Sequence, residues 1–411
     1  MGTPMLILFL LVINLTASAQ VIATLTMETG NSETAIPVSI NLDQYTFLSA
    51  DSILLNEITG NSTNKINFQV SFQNTRILNW IIQPKKGQTK RVFQLIKPSA
   101  FIYENNGGMM AINKNGAISF TNNGRSLLNY QFQTVYPPTG IDTNYKRSGF
   151  IHPLFTPHGQ ALTAIQPKDH YHHYGIWNPW THTVFEKDTV DFWNIKDKKG
   201  TVRFAKFISQ TNGPVFSEIE VLHEHVRFQK DGTEKVALNE LQTIRVYYPQ
   251  GEKDYYIVDF SSQLSCASES PLLIVAYRYG GLGWRATEEW TKDNCEVLTS
   301  EGKTRINTDG SKARWIATQG TLGNDYGGLL MMSYPANYNH PEPLRIWDEK
   351  SNAGRGDMFV NFAPTKDKDW LLEPGKTYTL KYRFVVYNGK MTAEKAEAAW
   401  QHFAKAVAIT K

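Results

Sequence analysis

From residue 216 onward the chain is written in long runs rich in β-branched and aromatic residues: Phe216 to Phe228, Lys235 to Tyr248, Asp254 to Leu264, Leu329 to Tyr334 and Thr377 to Tyr387. Residues that alternate in polarity put one face of a strand on a core and the other in water, which a helix of period 3.6 cannot do. Lys230-Asp231-Gly232 between the first two runs supplies a tight hairpin turn. Shorter runs such as Val21 to Thr26 and Ile66 to Phe72 fill residues 20 to 135, with turns at Glu104 to Gly108 and Thr121 to Gly124. One helix is expected, capped by Thr392 and running through good helix formers from Ala393 to Ala408. The fold class is therefore all-β and antiparallel with a C-terminal helix. A 411-residue chain is long for one sandwich. The expected organisation is a β-rich N-terminal region over 20–135 and a larger sandwich over 136–411.

Residues 1–19 have a different grammar. Met5 to Ile13 is apolar but too short to span a bilayer, and Ala17-Ser18-Ala19 follows as a small-residue cleavage site, so a secretory signal peptide is expected. No cysteine follows that site to carry a lipid, and no later stretch approaches the roughly 18 apolar residues of a span. A periplasmic or secreted protein without a membrane span is the expectation. Cys266 and Cys295 are the only cysteines, and their spacing leaves a disulfide and two separate thiols equally open. A net charge of +4 with dispersed Lys and Arg offers no basic stripe for nucleic acid.

Chemistry is concentrated elsewhere. Six of the ten histidines fall between 152 and 182, three of them in Asp169-His170-Tyr171-His172-His173-Tyr174-Gly175-Ile176-Trp177. Imidazole titrates near neutrality, so such a cluster points to proton transfer or metal binding; the plainer alternative is a histidine-rich core turn. On an extended strand His170 and His172 would share one face and His173 the other. The helical HExxH spacing is absent, so a metal would need His170, His172 and a distant third ligand. Ala276 to Thr287 adds Arg278, Tyr279 and Arg285 beside Gly280-Gly281, where an arginine fork can hold a carboxylate or sulfate. The segment Tyr334 to Asp348 reads as a loop because prolines disfavour a central strand, and it carries His340 and Arg345. Trp177, Trp180 and Trp193 suit either stacking on sugar faces or core filling. G-x-S-x-G and P-loop motifs are missing.

The runs Gly149 to Leu154, Asp169 to Trp177 and Val190 to Trp193 resemble the signature of the exported bacterial "methane oxygenase PmoA" family, as do Tyr277 to Gly281 and Asn337 to Arg345. The resemblance covers about residues 130 to 390. Tyr171 and Tyr174 stand where the usual motif has proline and arginine. The family name looks misleading, because a methane oxygenase subunit of that kind spans the membrane several times. What the resemblance implies is a galactose-mutarotase-like β-supersandwich, a fold that hosts epimerases, hydrolases and polysaccharide lyases, in proteins that accompany polysaccharide-degrading systems, including those for marine uronic-acid polymers. Fold alone does not choose the reaction.

The reading with most support is a carbon-oxygen lyase on uronic-acid-containing oligosaccharides, cleaving the chain or removing water. It expects His152, His172, His173, Arg278 and Tyr279 as catalytic residues. Arg278 would hold the carboxylate, His172 or His173 would be the base, and His152 or Tyr279 the acid. His170, Trp177, His340 and Arg345 would bind substrate, and no cofactor is required. A sugar epimerase or glycosidase is the first rival, with Asp169, Glu186, Asp188 and Asp191 as local carboxylates. A non-catalytic sugar-binding protein is the second. Oligomeric state is open.

Overall fold

The computed structural model describes residues 19–410 apart from 31, 86 and 100–107. The expected signal peptide and most of the expected turn at Glu104 to Gly108 lie outside the described residues. Among the described residues every strand pairing is antiparallel, and the one α-helix is C-terminal, so the fold is an all-β sandwich.

Two large sheets form the body. One has eight strands in the order Gly200–Thr211, Phe216–Phe228, Glu234–Tyr247, Tyr255–Cys266, Thr377–Asn388, Asp325–Ser333, Trp315–Leu322 and Cys295–Thr299. The other has nine, running from Lys312–Ala313 through Glu342–Ile346, Phe359–Phe362, Gly283–Arg285, Ile176–Trp177 and Phe150–Leu154 to the three strands between Met109 and Gln131. Alternation drives their union. Ile219 and Val221 bury into a shared core with Ile151, Ile176, Trp284 and Val360 of the opposite sheet, while Glu218, Glu220 and Glu224 point outward.

A polar node interrupts this apolar core. Glu240 is fully buried and accepts hydrogen bonds from Ser262 (2.6 Å), Asn178 (2.7 Å) and Gln242 (2.9 Å), with His225 Nε2 at 3.0 Å. His223 lies between Glu240 and the Tyr130 hydroxyl. Burial favours a neutral carboxyl, but the His223 ring close by at 3.8 Å and the bond from His225 outweigh it and hold Glu240 ionised.

The N-terminal module is a five-stranded and a three-stranded sheet around Leu25, Leu55, Leu78, Trp80 and Phe93. It ends at Lys97: the hairpins from Met109 to Gln131 belong to the large sandwich. The module seats on the body through Ala35, whose N–H donates to the Tyr255 hydroxyl (2.8 Å), and through Gln69, whose side-chain oxygen accepts from Val215 and Phe216.

Two expectations need correction, and one open alternative is resolved. The helix spans Ala393–Ala404 with Thr392 as N-cap, but stops four residues early: Ala408–Thr410 is a strand paired with Thr26 to Glu28. Val407 and Ile409 pack against the module's core there, so tertiary burial overrides helix propensity. Glu342–Ile346 is a strand, not loop; only the two-residue strand Lys312–Ala313 lies beyond it, so the proline sits close to the sheet edge. Cys266 and Cys295 are both free thiols.

Candidate active site

Residues 167–173 are not an extended strand. The His170 N–H bonds the Pro167 carbonyl, the His173 N–H bonds that of His170, and the Gln166 N–H returns to His173. These successive turns gather all three rings that a strand would have divided between two faces. His170 and His173 stack at 4.7 Å, and His172 stands edge-on to both, at 5.3 and 4.7 Å. Gly175 closes the motif at φ 53°, where a Cβ would lie 2.1 Å from the Ile151 carbonyl oxygen.

The turns rest on the outer face of the nine-stranded sheet, which is paved by Phe150, Tyr174, Trp177, Trp193, Trp347 and Phe359. Gly283 makes that paving possible, since a Cβ there would lie 2.7 Å from the Trp193 ring. Asp191 accepts from the backbone N–H groups of Trp193 (2.8 Å) and Asn194 (2.9 Å), and Arg147 donates to the Trp193 carbonyl (3.2 Å). The result is a cleft of about 380 Å³ over this floor. His170, His172, His173, Arg278, Tyr279 and Arg345 line it, as expected from sequence, together with Trp193, one of the tryptophans offered for stacking or core filling; Asn194, Trp347, Ser351, Asn352 and Phe359 were missed.

The remaining expected residues lie elsewhere. His152 turns to the Thr163 hydroxyl (2.9 Å), and burial depresses its imidazole to about 4. His340 stacks on Trp400 of the C-terminal helix and contacts the Ser333 hydroxyl (3.2 Å). Trp177 lies beneath His173, 5.2 Å between rings, as floor rather than lining. The proposed gathering of His152 and His340 with the cluster therefore fails.

An ionic chain, buried at Arg285 and Asp357 and open to solvent at Asp169 and His170, backs the cleft. Asp169 bonds His170 Nδ1 (2.8 Å) and Arg285 (3.2 Å); Arg285, 2 % exposed, also bonds Asp357 (2.9 Å) and stacks over Trp347. Burial would raise the Asp169 carboxyl, yet the His170 bond and the Arg285 charge prevail and hold it at about 2. Burial, with help from neighbouring cations, depresses His172 to about 3 and holds His173 well below its ordinary value, so both stay neutral. Burial raises Tyr279, whose hydroxyl donates to Asn194 (3.1 Å); it stays protonated. Arg278 pairs with no carboxylate among the described residues and lies over the rings of Tyr277 and Tyr279, while Arg345 pairs with Asp309 (2.8 Å).

Among the described residues no carboxylate lines the cleft. Asp191 is consumed by the Trp193 turn, and Glu186 and Asp188 bond Arg227 and Lys235 at the surface. No three His, Cys, Asp or Glu side chains among the described residues are placed to hold an ion, so the His170 and His172 pair lacks a third donor. No described helix is long and apolar enough to cross a membrane.

Arg285, Asp357 and the Asp348 to Asp357 loop carried weak signals: a second arginine beside Arg278, and a turn-rich stretch Ser351-Asn352-Ala353-Gly354 of the kind that elaborates β scaffolds. The chain matches no curated protein. A family model does match residues 117–401, spanning the whole cleft, and the chain belongs to that family, a family of unknown function (DUF6807).

Proposed function

We propose that the cleft performs β-elimination on the uronic acid residue of an oligosaccharide, outside the cytoplasm as the apolar N-terminus and Ala17-Ser18-Ala19 suggest. The observation that carries this reading is a lining of imidazoles, two arginines and a protonated tyrosine without any carboxylate. Hydrolysis by paired carboxylates needs what the lining lacks. Elimination needs a cation on the substrate carboxylate, a base for the C5 proton and an acid for the departing oxygen.

Arg278, free of carboxylate partners, takes the substrate carboxylate, where charge accumulates in the transition state. The base shifts from the pair expected by sequence to His170, because burial holds His172 near 3 and His173 well below its ordinary value, while His170 alone of the three is bonded by a carboxylate. Asp169 engages His170 Nδ1, fixing the tautomer and leaving Nε2 for the proton. The C5–H electron pair forms the C4–C5 double bond, the C4–O bond breaks, and Tyr279 gives its proton to the oxygen. Water leaves in a dehydration, a sugar hydroxyl in a chain cleavage. Trp193 and Trp347 supply the apolar floor on which the sugar would rest.

Incubation with a panel of uronate oligosaccharides, following absorbance of the unsaturated sugar together with product mass, tests the proposal. Absorbance with loss of one water mass identifies dehydration, and absorbance with shortening identifies chain cleavage. Saturated products alone overturn elimination in favour of an epimerase or hydrolase, and binding without turnover favours a sugar-binding protein.

A further inference from the structure

On the opposite side of the sandwich the outer face of the eight-stranded sheet floors a second groove of about 1060 Å³, larger than the histidine cleft. Its walls are the hairpin strand Phe68–Gln73 of the N-terminal module, the strand Gly200–Thr211 and the end of the C-terminal helix at Phe403. Volumes near the top of the usual range of roughly 300–1,000 Å³ suit a chain of units better than one small molecule. A smaller cavity sharing Ser71 and Arg245 prolongs it along Ser39 and Asn79.

The floor is ordered by register. Glu218, Arg245, Asp259 and Arg383 stand side by side on four adjacent strands, and the pairs close at 2.5 Å between Arg245 and Glu218 and 2.6 Å between Arg383 and Asp259. The neighbouring row is Glu220, Thr243, Ser261 and Lys381. Acidic and basic groups offset one another across these two rows. Hydroxyls and amides fill the spaces between, each able to donate and accept as a sugar hydroxyl does. At the rim Phe72 is 76 % exposed, a flat apolar ring with nothing folded over it.

We propose that this groove binds an uncharged stretch of polysaccharide, with Phe72 as the stacking platform and the Glu220 to Lys381 row bonding its hydroxyls. The proposal stands independently of elimination at the histidine cleft.

Native affinity electrophoresis of the full chain through soluble xylan, galactomannan and mixed-linkage β-glucan tests it, with alginate as the anionic comparison. Wild type is expected to be retarded in at least one neutral gel. Phe72→Ala, on an exposed ring, and Thr243→Trp, which fills the floor, are each expected to weaken that retention at least tenfold. Arg278→Ala in the cleft should leave it unchanged. Thermal melts of each variant establish folding, and Phe72→Ala decides alone should Thr243→Trp melt early. Absence of retardation in every neutral gel overturns the proposal. So does retention that Phe72→Ala leaves intact, or retention that only Arg278→Ala removes.

Discussion

His170 owes its role to one neighbour. Asp169 is held ionised, pairs with Arg285 and is bonded to His170 Nδ1, so in the proposed elimination it would stabilise the imidazolium formed when the C5 proton is taken. Asp169→Asn is expected to lower kcat by on the order of 100-fold or more with KM nearly unchanged, and to move the acid limb of the pH profile; an unchanged profile would remove Asp169 from the mechanism. Tyr279→Phe should abolish turnover of poor leaving groups first, because only they need the proton. A second residue-scale forecast concerns stability. Burial depresses His152 to about 4 and His172 to about 3, so the unfolded chain binds more protons as pH falls below 6.5 and stability declines from there through the folded values. Glu342 has the opposite sign: fully buried, it is raised to about 7 despite bonds from Ser333, Asn337 and Tyr382, and its contribution is lost as pH rises through that value. Glu342→Gln should therefore match wild type below pH 4.5 and exceed it by roughly 1–3 kcal/mol above pH 7. Superimposable melting curves across that range would refute the assignment.

At the scale of elements, strands whose two faces differ were legible. Phe216–Phe228 has the bounds read from its alternation, and its neighbours deviate by a few residues, because core on one side and water on the other write themselves into every second position. Turns and ends were less legible. For the histidine segment both an extended strand and a core turn stayed open, because its geometry is set by carbonyls that only the folded chain supplies, notably Pro167 and His170. His340 looked functional as a loop histidine beside a family signature, and its true partner, Trp400, lies 60 positions away by residue number on the helix. Ionic partners such as Arg285 with Asp357 carry no fixed spacing, so one sequence can mark each residue weakly but not their pairing. The C-terminal helix is anchored by Trp400, 8 % exposed, with its Nε1–H on the Ser333 carbonyl (3.0 Å). Trp400→Ala is expected to cost about 3–5 kcal/mol in urea unfolding, and a loss below 1 kcal/mol would show that the helix is merely laid on the surface.

The whole molecule is held together by two devices of different kind. Glu240 joins the sheets from inside: Ser262, Gln242 and His225 come from the eight-stranded sheet, and Asn178 follows Trp177 of the nine-stranded one, so cleft floor and core share a hydrogen-bonded post. Glu240→Ala strands two buried histidines and should cost about 3–5 kcal/mol by denaturant titration, more than any surface ion pair here. The second device is topological. Ala408–Thr410 pairs with Thr26 to Glu28, so the first described strand of the module is edged by the last. Synthesis delivers these partners at opposite ends of its timetable. The strand Gln20–Glu28 must therefore wait with one backbone edge unpaired until residues 408–410 emerge, and the module closes only after the sandwich between them has been synthesised, so a chain cut before Ala408 would present that bare edge to its neighbours.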